Sequence, residues 1–334
     1  MTSTRPSRSR PRAAVIYNPI KVKLPELKAE INTAATTAGW ARTRWYPTSV
    51  EDPGGLIAAE AIADGASLVF AAGGDGTVRA VAETLRGSGI PLSLVPSGTG
   101  NLLARNLDLP LSDLATAALI GFTGHSRPID MGVMSIERED APPEEHAFLV
   151  MAGIGLDATI MANTSAMLKR TVGWLAYVDA GVRTLATAKP FRLHYRLEGR
   201  SLHSVNVSTI LFANCGSLPG GLELLPDSSV DDGKLDLAVL QPAGLFGWVR
   251  IWRKLRWENG SLRRSRIGQR IITVTRGRKG TKTISYLRTR SVTVRLDEPQ
   301  GVELDGDQMG VTRSVTVRTD PHALLVRVPA TDRA

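Results

Sequence analysis

The stretch Phe70 to Glu83, FAAGGDGTVRAVAE, sets two glycines, an aspartate, a third glycine and a threonine where an apolar run gives way to a helical pattern. Two chemistries suit that spacing. In one, glycine supplies positive φ for a tight strand-to-helix turn and Asp75 or Thr77 caps the helix. In the other, the glycines let backbone N–H groups approach a phosphate at a helix N-terminus. A second glycine cluster, LVPSGTGNLLARNL, begins at Leu94. Neither cluster is a Walker A loop, and neither has the G-x-G-x-x-G spacing of a dinucleotide fingerprint.

Alternating elements must position these loops. RAAVIYNPI, ARTRWYPTS, ASLVFAAGG and IPLSLVPSGTGN read as strands, separated by helical patterns over Leu24–Ala38, EDPGGLIAAEAIADG and VRAVAETLRGSG. This order predicts a parallel sheet covered by helices, ending near Gly132, with both glycine clusters at strand C-termini, where open α/β sheets bind ligands. Two loops aimed at one crevice suit a polyphosphate. After the acidic loop SIEREDAPPEEH the texture changes. AFLVMAGIGLDA reads as one strand and Ala158 to Ala188 as mostly helical. Short alternating strands follow, predicting an antiparallel β domain. The expected division is a basic disordered tail over 1–12, an α/β nucleotide-binding domain over 13–139 and a β-rich domain over 140–330, with the C-terminal strand free to return to the first.

The composition is that of an ordinary soluble protein, with 43% hydrophobic and 22% charged residues. Cys215 has no second cysteine to pair with, so no oxidising compartment is required and the cytoplasm is the expected location. No apolar run approaches the ~20 residues that cross a bilayer. The formal charge of +9 is concentrated between Arg250 and Arg290, where 14 Lys or Arg stand against the one acid Glu258. Such a block binds an anionic membrane, binds nucleic acid or is simply solvated. Within it, Trp248, Ile251, Trp252 and Leu255 share one helical face, opposite Arg250, Arg253 and Lys254. That pattern fits a helix at a lipid interface and equally a helix packed on the β domain.

GGDGT (73–77), PSGTGNLLARNLDLP, AGIGLDA, NCGSLPGGLELLPDSSVDDGKLDL and VELDGD resemble, in order and spacing, the diacylglycerol kinase catalytic-domain family. That family includes bacterial lipid kinases and sphingosine and ceramide kinases, and the resemblance runs from about Ala13 to Pro329. It implies a Rossmann-like parallel-sheet domain followed by a mainly antiparallel β domain, as in NAD kinases and diacylglycerol kinases. It also implies ATP- and Mg²⁺-dependent transfer of the γ-phosphoryl group to the hydroxyl of diacylglycerol, giving phosphatidic acid, at the inner face of the membrane. Sphingoid-base or ceramide phosphorylation is the alternative within the fold, and a basic nucleic-acid binder the alternative outside it. No nucleic acid is expected as a partner, and a homodimer is left open.

Residue by residue, the resemblance gives nucleotide contacts to Asn18, Pro19, Thr48, Gly73, Gly74, Asp75, Gly76, Thr77, Gly98, Thr99 and Asn101, with Asp75 organising Mg-ATP. The first loop, NPIKVK, departs from relatives in lacking a glycine, and Leu102 stands where many bacterial members carry aspartate. Lys21 or Lys23 is then either a compensating phosphate ligand or a solvated cation. In DSSVDDGKLDL, Asp-Gly is itself a hairpin signal; the resemblance adds a structural Mg²⁺ held by Ser229, Asp232 and Lys234. ELDGDQMG fails as a calcium loop, because Met309 stands where a third ligand belongs and no glutamate follows at the twelfth position. The resemblance makes Asp307 the base that takes the lipid hydroxyl's proton, with Asp305 as the neighbouring candidate, and either also reads as a plain turn carboxylate.

Overall fold

The computed structural model describes residues 10–139, 141–155, 190–218, 222–223, 225, 228–241 and 284–330. The helical stretch expected over 158–188, the amphipathic segment 245–257 and most of the basic block lie outside the described residues. The chain divides into two compact units, 1–129 with 323–334, and 130–322.

The first unit is built on four parallel strands. In chain order it comprises β1 (Ala13–Tyr17), α1 (Leu24–Thr37), β2 (Arg44–Pro47), α2 (Gly55–Ala63), β3 (Leu68–Gly73), α3 (Asp75–Leu85), β4 (Leu92–Pro96), α4 (Leu102–Asn106) and α5 (Leu114–Thr123). β1 pairs with β2 on one side and β3 on the other, and β3 pairs with β4. The order β2-β1-β3-β4 therefore reverses direction at β1, which is a topological switch point. Every residue of β1 and β3 is buried, as strands covered by helices on both faces require. On one face, Leu27 and Ile31 of α1 and Phe122 of α5 pack with Val15, Tyr17 and Phe70, the Phe70 and Phe122 rings lying 5.1 Å apart.

The second unit is antiparallel. Its strands are β5 (His125–Ile136, which begins in the first unit), β6 (Glu144–Phe148), β7 (Met151–Ile154), β8 (Phe191–Leu197), β9 (Leu202–Val207), β10 (Thr209–Ala213), the two-residue pair β11 (Ser217–Leu218) and β12 (Leu222–Glu223), β13 (Leu235–Leu240), β14 (Ile284–Thr289), β15 (Ser291–Leu304) and β16 (Asp307–Val328). One run of neighbours reads β14-β13-β10-β7-β15-β8-β9. The last residues of β16 lie in the first unit, where Val326 pairs in parallel with Leu92 of β4.

The single strand expected over AFLVMAGIGLDA is two strands, β6 and β7. The chain breaks at Leu149 and Val150 because their N–H groups, with that of Met151, turn to the Asp305 carboxylate. The strands expected over SVTVRTDP and ALLVRVP are one, β16, which passes through a left-handed His322 (φ 53°).

Removing the Phe70 ring from the α1–α5 face leaves a cavity that parallel strands cannot collapse. Phe70→Ala is expected to cost about 3–5 kcal/mol in urea unfolding.

Candidate active site

The C-terminal ends of all four parallel strands meet along one sheet edge, and the sequence-predicted nucleotide residues gather there. Asn18 follows β1, Thr48 follows β2, Gly74 follows β3 and Ser97 follows β4. Backbone hydrogen bonds tie each loop to its neighbour: Asn18 N–H donates to Ala72 O, Thr48 N–H to Tyr17 O, and Ser97 N–H to Gly73 O, each at 2.9 Å.

The glycines are there because the loops touch. Gly74 and Gly98 approach Cα to backbone so closely that a Cβ on Gly98 would sit 2.7 Å from the Gly74 Cα. A Cβ on Gly73 would strike Thr77, whose side chain is buried and folds back onto that glycine. Thr77 thus presents its backbone, not its hydroxyl, at the start of α3. No side chain caps that helix, so its first N–H groups, on Asp75, Gly76 and Thr77, point out of the helix end.

Asp75 does something the sequence reading did not foresee. Its Oδ2 accepts the N–H of Asn101 at 2.9 Å and its Oδ1 that of Leu102 at 2.6 Å. The carboxylate of the 73–77 loop therefore fastens the 97–101 loop and caps the start of α4. Asn101 completes the lock: it adopts the left-handed conformation (φ 48°), its Oδ1 accepts Gly98 N–H and its Nδ2 donates to Gly98 O, both at 2.9 Å. Leu102, at the position of a departure from the family, contributes its backbone N–H to this bond.

The first loop is a tight turn. Asn18 Oδ1 accepts Ile20 N–H and Asn18 O accepts the N–H groups of Lys21 and Val22. The turn carries Lys21 across the sheet edge, where its amine lies 2.5 Å from the place a Gly74 Cβ would occupy. Lys23 instead pairs with Glu26 at 3.1 Å. Lys21 and Ser97 border a cavity of about 220 Å³ that extends toward Pro110 and Asp113. Pro19 is exposed at the tip of the turn.

The other predicted residues lie in the second unit. Asp305 and Gly306 both have positive φ (49° and 96°) and form the two-residue turn between paired Leu304 and Asp307. The Asp305 carboxylate accepts three backbone N–H groups, from Leu149 at 2.7 Å and from Val150 and Met151 at 2.9 Å. It is a structural anchor for the β6–β7 break. Asp307 stands half-buried at the first position of β16.

In the 228–236 loop, Ser229 Oγ donates to Asp231 and Asp232 Oδ1 accepts Lys234 N–H. Arg288 lies across the loop, with Nε and one Nη bonded to the two Asp236 oxygens at 2.8 and 3.0 Å and its other Nη 3.3 Å from Asp232 Oδ2. Burial pushes the Asp232 carboxyl up despite that guanidinium. A cation already faces the side chain that a metal would need, and a divalent ion beside it would meet like charge. Arg288 therefore already balances the charge of Asp232, the one expected Mg²⁺ ligand that would bind through its side chain. Sequence reasoning missed Arg288, and it missed Asp130, which is fully buried and accepts Gly233 N–H at 2.6 Å and His322 N–H at 2.8 Å. An aspartate inside the apolar run of β5 was the signal for the latter.

The diacylglycerol kinase catalytic domain model matches residues 12–134, and the YegS C-terminal NAD kinase beta sandwich-like domain model matches 149–328. A curated "Diacylglycerol kinase" of Bacillus subtilis (strain 168) is 28% identical over 319 residues, covering 94% of this chain and 96% of the relative. A "Probable lipid kinase YegS-like" of Pseudomonas aeruginosa (strain UCBPP-PA14) is 31% identical over 284 residues, covering 82% and 80%. The chain belongs to the diacylglycerol kinase and YegS-like lipid kinase family. It is a kinase, an enzyme of the transferase class. A crystal structure assigned to the diacylglycerol kinases, from Bacillus anthracis str. Sterne, superposes with a TM-score of 0.71 at 20% identity, covering 98% of this chain and 97% of that one. Yeast NADH kinase complexed with NADH superposes with a TM-score of 0.53 at 10% identity, covering 96% and 83%. These two likenesses establish the fold: parallel strands first, an antiparallel β domain after them. In this lipid-kinase family member the Asp75 carboxylate joins the two glycine loops.

Two outcomes follow from this geometry. Asp75→Asn replaces one acceptor oxygen with an amide donor facing the Asn101 and Leu102 N–H groups, and is expected to lower stability in urea by about 1–3 kcal/mol. EDTA is expected to leave the Tm of the native chain unchanged, because Arg288 holds the 228–236 loop. A drop of several degrees on chelation would show that the loop holds a cation.

Proposed function

We propose that the chain transfers the γ-phosphoryl group of MgATP to the free hydroxyl of diacylglycerol, giving phosphatidic acid, as a peripheral enzyme at an anionic membrane surface. The observation that carries this reading is the joined pair of glycine loops: the uncapped N-terminus of α3 and the Lys21 amine face the same point beside Gly74. Backbone N–H groups at a helix start and one mobile cation are what a polyphosphate requires, and phosphoryl transfer needs alignment and charge neutralisation more than covalent help. Mg²⁺ enters here with ATP, as part of the substrate.

Lys21 takes the role left open by the missing glycine of the first loop, binding the phosphates as a point charge. Asp75 positions the second loop, and its charge stays satisfied by two N–H groups rather than opposing the nucleotide. Asn18, Pro19 and Thr48 complete the nucleotide edge, with Gly98, Thr99 and Asn101 on its far side. Asp307 accepts the hydroxyl proton as phosphoryl transfer proceeds. Asp305 is unsuited to that task, because both its oxygens are bound by backbone donors. Among the described residues no helix is long and apolar enough to cross a membrane. Membrane contact is assigned to the aromatic and basic segment 245–257 on its sequence pattern.

The test is labelled ATP with purified protein and a panel of diacylglycerol, sphingoid base and ceramide in mixed micelles. Diacylglycerol is expected to accept label at least about tenfold faster than the others, a margin of about 1.4 kcal/mol in activation free energy; preferential labelling of ceramide or sphingoid base would reassign the substrate. Lys21→Gln is expected to raise the KM for ATP roughly tenfold with kcat less affected. Asp307→Asn is expected to cut kcat by roughly 10² to 10⁴, the range for loss of a general base. Asp305→Asn is expected to act on stability first, and wild-type kcat in Asp307→Asn would remove the base assignment.

A further inference from the structure

A second cavity of about 560 Å³ lies in the first unit. Arg12 immediately precedes β1, and Arg42 and Thr43 immediately precede β2. The cavity therefore opens at the edge of these parallel strands opposite the one that carries Asn18 and Thr48. Lys28 and Asn32, one turn apart on α1, form another of its sides.

Four cations, Arg12, Lys28, Arg42 and Arg44, line this volume with a single carboxylate, Asp64. That carboxylate is already engaged. The Tyr46 hydroxyl donates to it at 2.6 Å and Arg44 pairs with it, and together they hold it below the usual carboxylate range. Lys28 and Arg42 are exposed and have no acidic partner among the described residues. The Lys28 amine instead lies 5.6 Å from the centroid of the half-buried Trp45 ring, a cation held against an aromatic wall. Thr43 is 4% exposed and its Oγ1 has no hydrogen-bond partner. Cations gathered from three separate elements repel one another until an anion joins them. Guanidinium, ammonium and amide donors around one volume are the groups that hold a phosphate.

We propose that this cavity binds a phosphate group, inorganic or carried on a phospholipid headgroup, through Arg12, Lys28 and Arg42, at a place separate from the nucleotide edge. Asn32 supplies a further donor.

The double variant Lys28→Gln, Arg42→Gln removes the two cations that have no acidic partner among the described residues and breaks no ion pair there, so the fold is retained. Titrations are run with the nucleotide edge saturated by a non-hydrolysable ATP analogue and with ionic strength held constant by chloride. Inorganic phosphate is expected to raise the Tm of the native chain by roughly 2–4 °C over the chloride control, and the variant to lose that rise. The second arm uses vesicles of phosphatidic acid in phosphatidylcholine: if the headgroup is the source, the native chain sediments with them at least about tenfold more tightly than the variant. Loss of either response in the variant supports the proposal and names the source. Responses that are equal in native and variant protein in both arms, or absent from the native chain in both, overturn it.

Discussion

Two loops from adjacent parallel strands can share one anion only if the second is held against the first, and in this chain the Asp75 carboxylate does that holding. It sits at the first position of α3 and accepts the N–H groups that begin α4, with bonds of 2.9 and 2.6 Å. Everything else at the sheet edge follows from that fastening. Gly74 and Gly98 must be glycine because the fastening brings their backbones together, and Asn101 must take a left-handed conformation so that its N–H faces the carboxylate. A negative charge next to a phosphate site would ordinarily work against the ligand. In the proposed phosphate site it is offset by the two N–H donors at the start of α4, which leaves the N-terminus of α3 favourable for an anion.

The second unit repeats the device with different residues. Asp305, in a turn that only left-handed residues can make, collects three N–H groups and fixes the point where β6 ends and β7 begins. Asp130 collects two from segments far apart in sequence, Gly233 and His322. Arg288 spans Asp232 and Asp236 and gives the same loop a cation of its own. Buried and half-buried carboxylates that accept several backbone donors are stabilised by several charge-assisted hydrogen bonds at once.

The fold class was legible in the sequence because its signals are local. Alternating strands and helices up to Pro96 and period-two strands after Phe191 each carry their own pattern, and the glycine clusters mark where strands end. The gathering of Asn18, Thr48, Gly74 and Ser97 at one sheet edge followed from the parallel order alone. What the letters did not carry was long-range partnership. Nothing near Asp75 states that its carboxylate will reach Asn101, and nothing in GVELDGD states that Asp305 will divide AFLVMAGIGLDA into two strands. Arg288 lay inside a basic block read as one electrostatic surface, yet its guanidinium belongs to two aspartates more than fifty residues earlier. Such pairings depend on tertiary register, to which hydrophobic periodicity is blind.

As a nucleotide edge, the first unit needs its second glycine loop fastened by Asp75 and the start of α3 left for phosphate. Residue-resolved amide hydrogen exchange with and without a non-hydrolysable ATP analogue tests this requirement directly. The Asn101 and Leu102 amides are expected to be protected in the free protein, and Asp75, Gly76 and Thr77 to exchange quickly until the nucleotide protects them. Fast exchange at Asn101 and Leu102 in the free protein, or no gain of protection over Asp75 to Thr77 on binding, would contradict that expectation.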